Sequence, residues 1–372
     1  VLRGLRLSTW DGALATLWST LTTGAFLTGF ALWLGADSVG IGLLTAIPTL
    51  AGLVQIVSSY TSERSRSRKR FTAVCSLSGR LLWLPILLLP LFLPKPLALS
   101  AFLVLFALSY ALVNMPVPAW TSWMSDLVPP DHRGRYFGRR NMIAGLVGML
   151  VGLPAAWFLD LTVKRYHQPA LGFGTLFGVG VIGGILSIAC LLRQPEPPRR
   201  SPPAATTGGL KGLAAYYRAP FADRNFRRLM AFNTVFGLGQ NIAAPFFTVY
   251  SLNYLGLNYV WLQILATITS VASLLSMPLW GSLTDKFGNK PLLAIAICGV
   301  FTIPFTWVLT NPAHPVAMAA LLFEINIASG LFWAGVGLAQ FNLLIGFSPP
   351  DKTPIYVATM AAVTGLTGGL AP

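Results

Sequence analysis

The chain has 372 residues, of which 54% are hydrophobic and 10% charged, with a mean hydropathy of +0.66. A soluble domain carries roughly 25% charged residues, so water could not wet this surface on all sides, and apolar runs recur along the whole length rather than only at the start. The net charge of +15 would point to nucleic acid in a soluble protein, but here the cations sit between apolar runs, and no nucleic-acid partner is expected.

A membrane-spanning helix needs about 20 apolar residues. Eleven apolar segments meet that need, near 11–34, 38–60, 71–93, 97–123, 141–161, 171–192, 229–254, 259–283, 291–310, 316–346 and 354–372. The chain begins at a valine and stops inside the last apolar run, so it is read as a C-terminally truncated fragment holding about 11 of 12 spans. Cys75, Cys190 and Cys298 all lie within apolar runs without ligand-like spacing, so no disulfide or metal is implied. A soluble enzyme with a nucleophilic triad or zinc site is excluded.

Connections between spans alternate in charge. The N-terminus, every second loop and the linker 193–228 carry 22 Lys/Arg; the opposite loops carry 3. The excess marks the cytoplasmic side, which places the N-terminus and the linker in the cytoplasm of a plasma (inner) membrane protein. The linker opens with a proline-rich, charged run and then alternates Tyr217, Phe221 and Met230 with Arg218, Arg224, Arg227 and Arg228. That pattern fits either a cationic helix at the membrane surface or a solvated connector. The expected division is an N-terminal six-helix bundle over 1–192, the linker 193–228, and a C-terminal bundle over 229–372.

An internal repeat supports the division. Pro129-Pro130-Asp131 recurs as Pro349-Pro350-Asp351 and Tyr136 as Tyr356, at an offset of 220, while Leu34-Gly35 recurs as Leu255-Gly256 at 221. Two parallel halves about a pseudo-two-fold axis follow from such a repeat.

Residues 281–291 read Gly-Ser-Leu-Thr-Asp-Lys-Phe-Gly-Asn-Lys-Pro. This resembles the loop signature of the major facilitator superfamily, G-x-L-x-D-[RK]-x-G-x-[RK], at the family's position between spans 8 and 9. The run from Val128 to Arg135 is similar to the acidic-Arg-Gly-Arg turn of the same family, with Asp131, Arg133 and Arg135. The resemblance implies an all-α membrane fold of two six-helix bundles. It also implies a conformational latch at Gly281, Asp285, Lys286, Gly288 and Lys290, joined by Asp131, Arg133 and Arg135. The alternative is a tight turn with topology anchors. The equivalent N-terminal loop, from Tyr60 to Arg70, keeps its positive charge but lacks both glycines, and Glu63 stands beside the aspartate position. The C-terminal copy is therefore the expected latch.

Ionisable groups inside spans are costly and default to functional hypotheses. Arg80 lies about 9 residues, roughly 13 Å, into span 3. It is a candidate to bind an anionic group, or else pairs with a neighbouring carboxylate or snorkels. Glu324 in span 10 is a candidate to carry a coupling proton, or else a structural carboxyl. In the family the cavity is lined by spans 1, 4, 7 and 10. On those spans helical spacing groups Asp11, Trp18 and Thr22; Tyr110 and Asn114; Asn233, Gln240 and Asn241; and Asn326, Trp333 and Gln340 with Gly330 and Gly337. Trp18, Thr22, Tyr110, Asn114, Gln240, Asn241, Asn326, Trp333 and Gln340 are the expected substrate contacts. Glu324 stands about 160° from Asn326 on an ideal helix, so the two serve different faces.

The expectation is a secondary-active carrier of a small solute, driven by a proton or sodium gradient, with no cofactor, no metal and no obligate protein partner beside the lipid bilayer. No G-x-x-x-x-G-K-[ST] motif for ATP occurs. A non-transporting receptor of the same fold is the first alternative. A membrane-embedded transferase is the second, and the dispersal of the eleven acids speaks against it.

Overall fold

The computed structural model describes residues 2–55, 58, 67–128, 133–198, 218, 220–348 and 353–370. Each of the eleven apolar segments is helical there, and no strand occurs among the described residues. Span 1 is formed by α1 (Leu2–Thr22) and α2 (Gly24–Trp33), span 2 by α3 (Ser38–Ala51), and span 3 by α4 (Arg68–Leu81) and α5 (Trp83–Phe92). Span 4 is α6 (Lys95–Asn114) with α7 (Val117–Leu127), span 5 is α8 (Arg133–Asp160), and span 6 is α9 (Pro169–Leu192). The second half continues with α10 (Arg224–Val249), α11 (Tyr259–Phe287), α12 (Asn289–Val308), α13 (Pro315–Phe347) and α14 (Thr353–Leu370). By length and composition, seven described stretches suffice to cross a membrane: 68–92, 95–121, 139–165, 169–192, 259–287, 289–308 and 315–344.

The interruptions have local causes. Gly24, at φ +61°, breaks span 1 into two helices. Spans 3 and 4 restart just ahead of Pro85 and Pro118, so each proline falls in a first turn, where its missing N–H leaves no bond unmade.

The repeat legible in the sequence has a structural content. Leu34 and Leu255 are buried, each followed by a glycine of positive φ, +96° at Gly35 and +64° at Gly256. The next helix is then capped at the same offset of 221. Asp37 accepts a 2.8 Å bond from the Gly40 N–H, and Asn258 accepts one of 2.8 Å from Trp261. A left-handed glycine ends one helix and a short polar side chain starts the next, as glycine and Asx chemistry favour.

The described chain separates into two compact units. One comprises 1–215 with 236–245 and 361–372; the other comprises 216–235 with 246–360. Short stretches of α10 and α14 group with the first unit.

In the first unit α9 packs along α1 through a stripe of small residues. A Cβ on Gly180 would stand 3.4 Å from Leu21, and one on Gly183 would collide with the Leu17 side chain. In membranes, close backbone approach of this kind replaces the hydrophobic drive between helices. An aromatic cluster fills the other side. Phe30 meets Phe102 and Phe177 at 5.1 Å each, and Trp83 meets Phe177 at 4.9 Å, all edge to face. In the second unit α11 and α13 touch at Gly330, where a Cβ would run into the Thr269 carbonyl, and Trp280 lies over Gly335 with its indole N–H on the Leu331 carbonyl at 2.7 Å.

Candidate functional site

Two buried charges of opposite sign lie together in the first unit. Asp11 on α1 and Arg80 on α4 are 4% and 7% exposed. Ser187 on α9 links them: its hydroxyl donates to Asp11 Oδ1 at 2.6 Å and accepts from Arg80 Nη1 at 3.0 Å. The same Nη1 donates to the Gly184 carbonyl at 2.6 Å. Gly184 is small for a reason, since a Cβ there would stand 2.9 Å from Arg80 Cδ and 3.3 Å from Trp18 Cδ1. The Arg80 guanidinium lies 5.3 Å from the centre of the Trp18 ring, and Trp18 meets Trp83 edge to face at 6.4 Å. Trp18 Nε1 and Arg80 Nε are buried without a hydrogen-bond partner among the described residues. A second cation stands one turn away. Arg140 on α8 donates Nε to the Ser8 carbonyl at 3.2 Å, lies 5.1 Å from the Trp120 ring, and would be met by a Cβ on Gly12 at 2.8 Å.

The remaining sequence-picked residues divide. Thr22 is buried and bonds its own helix at the Trp18 carbonyl, 2.8 Å. Asn114 bonds the Tyr110 carbonyl at 2.9 Å and accepts from Gln55 Nε2 at 3.0 Å, while the Tyr110 ring lies tilted against Phe106 at 4.6 Å. Asn241 bonds the Gly237 carbonyl at 2.7 Å, and a Cβ on Gly368 would stand 3.5 Å from its Nδ2. Gln240 is exposed.

In the second unit, Asn326 accepts from the Thr269 hydroxyl at 2.9 Å, so it faces α11. Trp333 and Gln340 are half-buried, Gly337 opens onto free space, and Glu324 is exposed. The stripe drawn from Asn326 to Gln340 therefore begins in a helix contact with α11.

The two loop copies differ from each other. Gly281 has open space about it, Gly288 has φ +83°, and Asp285, Lys286 and Lys290 are exposed with no ion pair between them among the described residues. Asp131 lies outside the described residues, as do the side chains of Arg133 and Arg135. At the N-terminal copy, Glu63 lies outside the described residues, but the end of the loop is tightly bound. Arg68 is 3% exposed and pairs with Asp126 at 2.6 Å and Glu196 at 3.9 Å. Glu196 sits at the start of α4, where it accepts from the Arg68 N–H at 2.7 Å and the Ser67 hydroxyl at 2.6 Å. An acid at that end complements the helix dipole. Trp123 Nε1 and Lys69 Nζ fasten the same linker segment by the carbonyls of Pro195 and Gln194, at 3.0 and 3.2 Å.

Sequence reasoning missed Ser187, Gly184, Asp126 and Glu196. Ser187 and Gly184 read as ordinary small residues of an apolar helix, and Glu196 lies in a proline-rich run whose spacing says nothing of its partner. Asp11 was legible as a carboxylate sharing the face of Trp18, and Arg80 as an intramembrane charge; their link through a third helix was not.

The fold is shared with solved transporters. A mutant form of the nucleoside transporter NupG superposes with a TM-score of 0.74 at 15% identity, over 99% of this chain and 88% of that one. A bacterial homolog of the human lysosomal transporter Spinster gives 0.70 at 18%, over 99% and 80%. A D-xylose-proton symporter gives 0.69 at 15%, over 99% and 89%. No curated protein matches in sequence. The family model of the Major Facilitator Superfamily matches residues 12–372. With that match over nearly the whole of a multi-helix membrane fold, the chain belongs to the Major Facilitator Superfamily and is a multi-pass membrane transporter.

Proposed function

We propose that the protein is a proton-coupled secondary carrier of a small solute in the plasma membrane, with the N-terminus and linker in the cytoplasm. Two halves would expose the site alternately to either side. The observation that carries the coupling is the Asp11–Ser187–Arg80 link. Two opposite charges buried inside a membrane unit and joined through one hydroxyl are expensive, and ionisable groups so placed are functional candidates by default. Protonation of Asp11 would remove the charge that balances Arg80 and loosen span 1 from spans 3 and 6. Glu324 is the second candidate for the same role, placed on an exposed face of α13.

Solute contact is assigned to the amide and aromatic groups Tyr110, Asn114, Gln240, Asn241, Asn326, Trp333 and Gln340, with Trp18 and Thr22 at the edge of the charged cluster. These groups are uncharged, which favours a neutral, hydrogen-bonding solute. The nucleoside and D-xylose carriers of similar fold make nucleosides and sugars the first to try. Arg80, already bonded to Ser187 and Gly184, serves coupling rather than the capture of an anion.

The test begins with a thermal-shift screen of solutes, where a ligand at about 100 times its dissociation constant stabilises by about 2.7 kcal/mol. The solute found is then followed by counterflow and by proton uptake in proteoliposomes. Asp11→Asn is expected to keep counterflow and lose proton-driven accumulation, with Glu324→Gln close to wild type. Loss in Glu324→Gln alone moves coupling to span 10. Binding without counterflow refutes the carrier reading.

A further inference from the structure

The start of α10 carries a cationic face with no ion-pair partner among the described residues. Asp223 caps the helix by accepting from the N–H groups of Asn225 and Phe226, at 2.8 and 3.1 Å. Arg224, Arg227 and Arg228 follow at once and are exposed, as are Arg218 and Phe221. Their position works against the helix, because cations at an N-terminus oppose the helix dipole. Nor can the linker supply a counter-charge. Residues 193–228 hold eight Lys/Arg and two acids, and both acids are used: Glu196 at the start of α4 and Asp223 at its own helix cap.

The face is held in a fixed direction. Phe226 is fully buried against Tyr356, ring centres 4.6 Å apart, and Leu229 and Met230 are buried beside it. At about 100° per residue, Arg224 and Arg228 stand about 160° from Phe226, on the opposite side of the helix. Depth follows from length. From Leu229 to Val249 the helix rises about 31 Å at 1.5 Å per residue, which matches the roughly 30 Å hydrocarbon core. With the core starting at Leu229, the arginines fall within about one and a half turns before it, at headgroup level. Phe221, 48% exposed, adds an apolar ring at that level, and Arg227 holds its carbonyl at 3.3 Å.

We infer that Arg224, Arg227 and Arg228, with Arg218 and Phe221 beside them, form a docking surface for anionic phospholipid headgroups at the start of span 7. This is independent of which solute the protein carries and of how transport is coupled. Each cation near an anionic surface is worth about fivefold in partitioning, so roughly a hundredfold for the three.

The test is lipid retention by the purified protein in nanodiscs of phosphatidylcholine with a minor share of phosphatidylglycerol. Wild type is expected to retain phosphatidylglycerol preferentially, and less so as salt is raised. The Arg224→Gln/Arg227→Gln/Arg228→Gln variant is expected to lose the preference, and the corresponding triple lysine variant to keep it. Should the triple variant misfold, Arg228→Gln alone is expected to lower retention about fivefold. Unchanged retention in the glutamine variant overturns the inference. So does an equal fall per charge in Lys286→Gln/Lys290→Gln, which would mean bulk charge rather than this face. Displacement of the lipid by an acidic peptide or an oligonucleotide at lower concentration also overturns it, in favour of a macromolecular partner.

Discussion

The two copies of the inter-span loop hold their charges differently. The copy at 281–290 keeps every glycine and charge of the family signature, yet its Asp285, Lys286 and Lys290 stand in solvent without ion pairs among the described residues. The copy before α4 has lost the glycines, yet Arg68 at its end is buried, bonded to Asp126 and beside a glutamate that caps the helix. A motif records which residue types a turn can use. Whether they are engaged depends on partners elsewhere, and Glu196 comes from a segment about which the motif is silent.

The largest test of this contrast removes one cation from each copy. Arg68→Ala leaves Asp126 without its partner while Glu196 keeps its bonds to Ser67 and the backbone, and breaking a buried pair in this way costs about 3–5 kcal/mol. Lys286→Ala removes an exposed charge and is expected to stay within about 0.5 kcal/mol. Thermal unfolding in detergent of the two variants side by side reads the difference. Equal losses would mean that the C-terminal copy is engaged after all.

The glycine of the C-terminal copy sharpens the same point. Gly288 holds φ +83° and ψ 166°, a region that essentially only glycine occupies, as it joins α11 to α12. Gly288→Ala is expected to cost about 1–3 kcal/mol in strain although open space surrounds the site. In this copy the backbone matters more to stability than the charges. A variant as stable as wild type would refute that ordering.

How much was legible follows from the same physics. The eleven helical segments could be read because the bilayer fixes length and composition locally, residue by residue. The repeat was visible as Leu34-Gly35 against Leu255-Gly256, since a helix end has a narrow chemistry. The polar links were not, because each depends on a residue far along the chain: Ser187 stands 176 positions from Asp11, and Glu196 128 from Arg68. Helical periodicity put Asn326 on a face with Gly330 and Trp333 but could not say that α11 would occupy part of it, through Thr269.

The smallest expected effect concerns the feature in which the two halves agree. Asp37 and Asn258 stand at the same offset as the glycines before them, and each accepts a 2.8 Å bond from the backbone N–H three residues on. Replacing a cap of this kind by alanine costs about 1 kcal/mol. Asp37→Ala and Asn258→Ala are therefore expected to lower stability by similar amounts, in contrast to the unequal loop substitutions above. Because Asp37 is charged and Asn258 is not, salt separates two contributions. Raising ionic strength should reduce only the Asp37 loss, by the share owed to the helix dipole. If both losses are equal and insensitive to salt, the hydrogen bond alone carries the cap. If only Asp37→Ala is costly, the structural repeat at this turn is not matched by an energetic one, and the two halves differ here as they do in their loops.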